Sequence, residues 1–436
     1  MRTKLLIYLK RIIAVTCVCS MFAIIWKTLH YMIIDDRSSF TRIMMHEYYN
    51  QNNIDILFCG SSLCYKSFDI KILDNRLGVN TFNSGSSSQD LDATYYIIRD
   101  AIKRYNVKRI FLELSPLMAQ NFDINNRNSA TMVGTYIISD YMKPSYAKYE
   151  YLLRASDARA YANSFLPARR NWQLLFEPEY VGNTLQRKSE AFYKDFEYID
   201  SDTLHYMGKG YVASENKVLE HSFCDSYGNV DFDISNIKNE WFQYLQCIIF
   251  LCRNSGVELT LVCSPLSPYL LACFGDKYDD YHNTIAEIAK EANIDYLDFT
   301  LCKEEYMHLE FGDYEDSAHL NMYGARTFSE FLADIIIGNI DNSDIFHDSV
   351  KQKLDDLPSG LCGIVKNGAE WKIVTVDAEN FEYSVMAQPN DKESYQIQDF
   401  SQNNTFQVNV EEHGSIIVMA RPIHGSGEMQ KIVMEY

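Results

Sequence analysis

Residues 57–69, LFCGSSLCYKSFD, decide how the chain is interpreted, because an apolar run that starts at Ile54 ends there in a glycine and two serines. A short run of this kind predicts a buried strand. A sharp turn that carries a hydroxyl after a strand is one way to expose a nucleophile. A Gly-Ser turn between a strand and a helix has the same composition and is common. The rest of the chain has to separate these two interpretations.

Short apolar runs alternate with amphipathic stretches between residues 54 and 337. The runs, at 54–59, 79–82, 107–114, 257–263 and 294–299, are rich in β-branched and aromatic residues, as parallel strands buried on both faces are. Residues 90–105 and 234–254 show helical spacing, and Gly256 is a helix-ending residue. The alternation predicts a doubly wound α/β sheet of five parallel strands, whose ligands bind at the carboxyl ends of the strands. Gly60, Ser61 and Ser62 lie at such an end.

Two further regions flank or interrupt this pattern. Residues 117–255 form an insertion after the third strand, with a helical stretch at 146–162. It is either a lid or acceptor-binding surface or a packing elaboration. Residues 345–436 contain six short apolar or alternating segments, at 371–376, 381–387, 395–399, 405–410, 415–420 and 431–434. They predict a small β-sandwich or barrel, which either binds polysaccharide or packs on the rest of the chain.

The N-terminus predicts a membrane anchor over residues 1–35. Basic residues precede an apolar segment that runs over 5–9 and 12–26, and Asp35 and Asp36 follow it. With Lys10 and Arg11 snorkelling to the headgroups, the segment is long enough to span a bilayer. The charge asymmetry places the N-terminus in the cytoplasm and residues after about 35 outside. A cleaved signal peptide and a buried core helix are the alternatives, but no good cleavage site follows Trp26.

Composition excludes some classes of partner. The formal net charge of −19 would repel a phosphate backbone, so nucleic acid is not expected to bind. Nine of the 11 cysteines lie beyond the anchor, an odd number that cannot all pair within the chain. No Cys-x-x-Cys motif and no Cys/His set with metal spacing occurs, so no metal or cofactor is expected.

A serine at a strand end needs a base to take its proton, and His319 lies in the best context for that role. It belongs to DYEDSAHLNMYGA, residues 313–325, where Asp316 precedes it by three residues. An Asp-x-x-His turn lets the carboxylate hold the Nδ1 proton, so that Nε2 faces the serine. Asn321 is placed to cap the helix that follows. The other histidines, including His205, His221, His282 and His308, lack such a context.

These two blocks together resemble the SGNH (GDSL-like) hydrolase superfamily, and in particular its membrane-anchored, extracytoplasmic esterases and O-acyltransferases. The resemblance covers roughly residues 54–337 of a predicted catalytic domain at 36–340, and it implies a flavodoxin-like α/β/α sandwich. By position, Ser62 matches the nucleophile, Asp316 the orienting acid and His319 the base. Ser61 stands where many members have Asp.

The oxyanion-hole blocks fit the family less well. Members offer a glycine N–H after the second strand and an Asn side chain after the third, beside the N–H of the nucleophile. Here the second loop is NSGSSSQ, residues 83–89, with Ser88 at the glycine position and Gly85 three residues earlier. The third loop is ELSP, residues 113–116, in which Ser115 or the later Asn121 could substitute. Loss of one donor typically costs about 100- to 1,000-fold in rate.

The resemblance implies a serine esterase or O-acyltransferase, with acetyl as the acyl group, that acts on a cell-envelope or exported polysaccharide through an acyl-enzyme. Such proteins often work beside a multispanning membrane acyltransferase, which is the expected protein partner. Two alternatives remain: a non-catalytic polysaccharide-binding protein on the same scaffold, and a lipid esterase whose site the anchor holds near a bilayer.

Overall fold

The structure, a computed structural model, describes residues 2–436 except 38, 125–131, 157, 159, 198–199, 410 and 425–426. The chain divides into two compact units, Met1–Tyr49 with Asn125–Asp200 and Asn50–Ile124 with Ser201–Tyr436. The predicted segments 1–35, 36–340 and 345–436 follow the chain instead of these units, and they stay a prediction. Part of the predicted insertion, residues 125–131 among them, lies outside the described residues.

The described elements mix helices and strands as far as residue 356, with a run of six α-helices over residues 116–194 between the third and fourth strands, and they are mostly strands after residue 356. The α-helices are α1 Arg2–Ile33, α2 Phe40–Asn50, α3 Ser62–Ser67, α4 Ile70–Leu77, α5 Leu91–Arg104, α6 Pro116–Asn121, α7 Val133–Ser139, α8 Tyr146–Ala155, α9 Tyr161–Phe165, α10 Pro178–Ser189, α11 Ala191–Lys194, α12 Asn239–Ser255, α13 Pro268–Phe274, α14 Asp276–Ala292, α15 Met322–Ile336 and α16 Val350–Asp356. The strands are β1 Ile56–Cys59, β2 Thr81–Asn83, β3 Arg109–Glu113, β4 Leu204–Gly208, β5 Tyr211–Ser214, β6 Glu258–Cys263, β7 Asp295–Asp298, β8 Gly360–Asn367, β9 Glu370–Val376, β10 Phe381–Pro389, β11 Tyr395–Ser401, β12 Thr405–Gln407, β13 Gly414–Pro422 and β14 Gln430–Glu435. Short 3-10 helices lie at Pro167–Phe176, Ser226–Asn229, Ile234–Asn236, Phe299–Leu301, Phe311–Asp313, Asn342–Asp344 and Ala378–Asn380.

The first unit is helical and begins with α1. Residues Lys4–Ile33 of this helix are long and apolar enough to cross a membrane, judged by length and composition. Its apolar side chains are largely exposed, which removes the core-helix interpretation. A signal peptide has a similar length and composition. Elsewhere in this unit, the buried Lys188 ammonium lies 3.1 Å from the Asp36 carboxylate, and the Arg42 guanidinium stacks on the Tyr193 ring.

A five-stranded parallel sheet in the order β2-β1-β3-β6-β7 forms the centre of the second unit. All five strands coincide with the predicted apolar runs, which confirms the α/β fold. The order is that of a flavodoxin-like sheet, in which the chain reverses direction across the sheet between β1 and β3. The carboxyl ends of β1 and β3 therefore flank one crevice, and both the Gly60–Ser62 turn and Glu113 lie there.

The predicted helices form with two changes in their bounds. Helix α12 begins at Asn239, because residues Ile234–Asn236 make a separate 3-10 turn capped by Asp233, and it ends at Gly256 in the left-handed conformation, as expected. The predicted stretch 146–162 is not one helix: α8 ends at Ala155, and a separate helix, α9, begins at Tyr161. Asn321 caps α15 by accepting from the N–H groups of Tyr323 and Gly324, which confirms the predicted cap.

The C-terminal region folds into two antiparallel sheets, β11-β10-β13-β14 and β12-β9-β8. Their inner faces share one buried apolar cluster that includes Tyr383, Val418 and Ile364. The six predicted segments are all strands, although β12 ends at Gln407 and Val410 lies outside the described residues. Strand β8 was missed, because Gly360 and Gly363 interrupt its apolar pattern.

A hairpin of β4 and β5 from the predicted insertion packs against β2, and the sequence did not predict it. Asn83 N–H donates to Lys209 O at 2.9 Å. A Cβ at Gly210 would lie 1.8 Å from Asn83 O, so a side chain there cannot be accommodated. This part of the insertion supports the loop after β2, which agrees with the packing interpretation for residues 201–214.

Candidate active site

The turn after β1 places Ser62 at the first position of α3. Ser61 has extended backbone and precedes the helix, so the chain changes direction within two residues. Glycine is required at position 60, because a Cβ there would lie 2.8 Å from Glu113 Cβ and 3.0 Å from Cys64 Cβ. Ser61 is buried, whereas Ser62 is partly exposed. The turn therefore aims the second serine, and not the first, at solvent.

Glu113 lies beneath this turn at the end of β3, fully buried. Burial raises the pKa of its carboxyl to about 8, against hydrogen bonds from the Ser61 N–H and hydroxyl that lower it. Its other oxygen, Oε1, has no partner among the described residues. The carboxyl is therefore mostly protonated at neutral pH, and it is a neutral support for the Ser61 backbone.

The Asp316–His319 turn forms as predicted. The N–H groups of Ala318 and His319 both donate to Asp316 Oδ1 at 2.9 Å, and His319 Nδ1 lies 2.9 and 3.0 Å from the two carboxylate oxygens. Burial raises the pKa of the Asp316 carboxyl, but the bonds from His319 and from the backbone outweigh it, so the net pKa lies below the ordinary value. Asp316 is thus ionised at neutral pH and fixes Nδ1 as the protonated nitrogen.

His319 Nε2 lies 2.7 Å from Ser62 Oγ, although the two residues are 257 positions apart in the chain. The imidazole is almost entirely buried, with 8% of its side chain exposed. With Nδ1 donating to Asp316, Nε2 can accept the Ser62 hydroxyl proton. The serine, imidazole and carboxylate are therefore in one hydrogen-bonded line, the arrangement that activates a hydroxyl for attack on an acyl carbon.

Besides the Ser62–His319 bond, other contacts join α3, the helix that begins at Ser62, to the Asp316–His319 turn and to α15, the helix after that turn. The Lys66 ammonium lies 2.8 Å from Glu315 Oε2, with only 6% and 13% of the two side chains exposed. Lys66 is one helical turn after Ser62, and Glu315 adjoins Asp316. The Ser329 hydroxyl on α15 accepts from the Asp69 N–H and donates to Ser67 O. These contacts hold α3 at a fixed distance from the Asp-x-x-His turn.

A third segment, Asp225 and the 3-10 helix Ser226–Asn229 that it caps, also contacts the histidine turn. Asp225 accepts from the Ser317 N–H and hydroxyl, both at 2.7 Å. The Tyr227 ring meets the His319 ring edge-on with centroids 5.7 Å apart. Burial raises the pKa of the Tyr227 hydroxyl to about 12, so it stays protonated beside the imidazole. Asp225 and Tyr227 therefore support the Asp316–His319 part of the triad.

The predicted oxyanion donors differ in their positions. The Gly85 N–H donates to Asn83 Oδ1 at 2.9 Å, so a substrate would compete with this contact, and the role of Gly85 as an oxyanion donor stays a prediction. Ser88 is exposed and has φ 52°, the left-handed conformation that glycine prefers, in keeping with its assignment to the family's glycine position. Ser115 caps α6 by accepting from the Met118 N–H, and Asn121 is exposed at the end of that helix.

The N–H of Ser62 itself is a remaining donor. Because Ser62 is the first residue of α3, no carbonyl within the helix can accept from it. The helix terminus also favours negative charge there. No contact in the described residues joins Ser88, Ser115 or Asn121 to the triad, so their roles as oxyanion donors stay predictions.

Two other groups of polar residues bear on the assignment. Glu315, Asp316 and His319 lie close enough that each could give one ligand to a metal ion. However, Glu315 already pairs with the Lys66 ammonium, and Asp316 is bonded to Nδ1 of His319.

His282 Nδ1 lies 2.8 Å from the buried Asp298, a second His–Asp pair that sequence analysis missed. Asp298 also accepts from Tyr278 and Tyr296, and no serine contacts this pair among the described residues.

Sequence analysis also missed the residues that support the triad, namely Lys66, Glu315, Asp225, Tyr227 and Glu113. Local signals existed for the first two, since Lys66 follows Ser62 by four residues on a helix and Glu315 adjoins Asp316. None existed for Asp225, whose contact with Ser317 spans 92 residues.

Comparison with family models gives no match, and neither does comparison with curated proteins. Among solved structures, a proposed acylhydrolase from Bacteroides fragilis matches with a TM-score of 0.32 and 6% identity over 68% of this chain and 94% of that one. A GDSL-like lipase from Bacteroides thetaiotaomicron matches with a TM-score of 0.31 and 7% identity over 69% and 100%. A proposed platelet activating factor from Streptococcus pneumoniae matches with a TM-score of 0.27 and 12% identity over 73% and 99%. At these scores the likenesses carry no argument about function.

Glu113→Gln tests the neutral state of the buried carboxyl. The folded pKa of about 8 exceeds the ordinary 4.5, so the folded state binds more protons between these values and loses stability as pH rises through that window. We expect the variant, which cannot ionise, to lose less thermal stability between pH 5 and 9 than the wild type. The measurement is Tm against pH, with exposed Glu305→Gln as control. Parallel curves for the wild type and E113Q would contradict it.

Lys66→Met tests the ion pair as a device that positions the triad. Removing one partner of a buried pair costs about 3 to 5 kcal/mol of unfolding free energy, and we expect kcat to fall as well because α3 is released from the histidine turn. The unfolding free energy and kcat are both measured. The kcat assay uses a soluble ester at a temperature where circular dichroism shows that the variant is folded. Exposed Lys71→Met on α4 is the control.

The double variant K66M/E315Q leaves neither charge unpaired, so it should regain stability. A positioning role requires that kcat stays low in this variant. Recovery of kcat together with Tm would show that the pair acts on stability alone.

Proposed function

We propose that the protein is an SGNH-type serine esterase or O-acyltransferase. One observation carries this proposal: the 2.7 Å contact between Ser62 Oγ and His319 Nε2, with Nδ1 of the same ring held by an ionised Asp316. Ser62 at the start of a helix and His319 before the last helix of the α/β region are also the positions that the family resemblance assigns to nucleophile and base.

In the first half-reaction, Ser62 Oγ bonds to the ester carbonyl carbon while His319 Nε2 takes the hydroxyl proton. Asp316 stabilises the imidazolium that forms. The Ser62 N–H and the end of α3 face the developing oxyanion charge. The C–O bond to the alcohol then breaks, and His319 gives the proton to the departing oxygen. An acyl ester on Ser62 remains.

In the second half-reaction, a water or a sugar hydroxyl bonds to the acyl carbon and gives its proton to His319. The bond to Ser62 Oγ breaks, and the serine regains its proton. Water makes the protein an esterase, and a sugar hydroxyl makes it an O-acyltransferase. Both outcomes use the same three side chains.

We further propose that the acyl group is acetyl and that the substrate or acceptor is a carbohydrate polymer of the cell envelope. The anchor α1 would hold the second unit outside the cytoplasm as a single-pass membrane protein, and a multispanning acyltransferase is the proposed protein partner. The resemblance and the length and composition of α1 support these assignments.

Labelling with a fluorophosphonate tests the nucleophile, because phosphonylation of a serine needs an activated hydroxyl. We expect the wild type to be labelled, Ser62→Ala to be unlabelled, and Ser61→Ala to keep its label because Ser61 is buried against Glu113. His319→Ala should lower the rate of ester hydrolysis by about a thousandfold or more. The readout is mass spectrometry of the intact chain. A folded wild type that takes no label would favour a role in polymer binding only.

Ester chain length tests the substrate class. We expect kcat/KM for an acetylated sugar to exceed that for a long-chain acyl ester, because a lipid esterase needs an apolar channel for the chain. Hydrolysis is followed by pH-stat, and transfer by the mass of an added oligosaccharide. A preference for the long chain would identify a lipid esterase instead.

A further inference from the structure

Two large aromatic side chains project from the 3-10 helix Pro167–Phe176 of the first unit. Trp172 is 57% exposed and Phe176 is 74% exposed. Their rings contact each other edge-on, with centroids 5.9 Å apart. Adjacent exposed aromatic residues form an apolar patch, and such patches mark binding surfaces for proteins or membranes.

This segment packs against α1, and so does the following helix α10. The Tyr180 hydroxyl on α10 donates to Ile33 O, at the last residue of α1. On α1 itself, residues 4–25 are exposed, and the partly covered side chains begin at Trp26. The aromatic segment therefore packs on the C-terminal part of α1, which begins at Trp26, the last residue of its apolar run.

The position along α1 identifies what covers the aromatic patch. The apolar run over residues 5–26 is about 33 Å long at about 1.5 Å per residue, close to the thickness of the hydrocarbon core of a bilayer. If α1 spans the membrane, Trp26 lies at the outer interface, and Lys27 follows it into the headgroups. The segment Pro167–Phe176 then lies at the same depth.

We propose that Trp172 and Phe176 insert into the headgroup layer of a phospholipid bilayer and form a second membrane contact beside α1. Aromatic rings are enriched at that depth, and the exposed Arg169 of the same segment can meet lipid phosphates. The contact would fix the rotation and tilt of the first unit on the membrane, which a single helix leaves free. This inference rests on the proposed anchor and not on the proposed chemistry.

Tryptophan quenching by brominated lipid tests it on the full chain in phosphatidylcholine vesicles. The chain has four tryptophans, and two of them, Trp241 and Trp371, are buried in the second unit. Three variants separate the emission of the other two tryptophans, Trp26 and Trp172. W172F reports Trp26, W26F reports Trp172, and W26F/W172F gives the background of the buried pair.

We expect W172F and W26F each to lose emission in brominated vesicles relative to unbrominated ones, and the double variant to lose none. If W172F is quenched and W26F is not, α1 is inserted and the aromatic surface faces water or another protein, which overturns the inference alone. If W172F is not quenched, the anchor and the surface built on it both fail. Hydrolytic activity of Ser62 is not involved in either outcome.

Discussion

The close approach of the β1–α3 turn to the end of β3 is the constraint on which the site depends. Because Gly60 has no side chain, the Glu113 side chain can lie directly against the turn. Glu113 then contacts Ser61, so the first serine faces inward and Ser62 is left at the surface at the start of a helix. A parallel sheet with both strands ending at one edge is what brings these segments together.

The histidine is held at this edge by contacts from two distant parts of the chain and by a local helix cap. Lys66 binds Glu315 from the serine helix, Asp225 binds Ser317 from the end of the insertion, and Asn321 caps the helix that follows. The two long-range bonds are made to Glu315 and Ser317, the residues on either side of Asp316, and not to the triad itself. The Asp316–His319 turn is therefore held on both flanks, which leaves the imidazole Nε2 free to contact Ser62.

The two carboxyl groups near the site, Glu113 and Asp316, differ in their protonation. Burial keeps Glu113 mostly protonated, whereas the bonds from His319 and the backbone keep Asp316 ionised. One carboxyl thus supports the backbone of the turn as a neutral group, and the other orients the imidazole as an anion. Carboxyl groups in one site whose environments move their pKa values apart take different roles.

The sequence by itself determined the five parallel strands, the helix caps at Asn321 and Gly256, and the local Asp316–His319 turn. These features depend on residues within one element, where apolar periodicity and capping side chains act over a few positions. The tertiary structure alone decided that Ser62 meets His319, that Glu113, Lys66 and Asp225 support them, and that the Gly85 N–H is already bonded. Those contacts join segments from across the fold, or depend on how a loop closes on itself, and no local pattern encodes such distances. Strand β8 and the β4–β5 hairpin were missed for a related reason. Besides pairing with its neighbouring strand, β8 bonds to Phe223, and the hairpin bonds to Asn83 through Lys209.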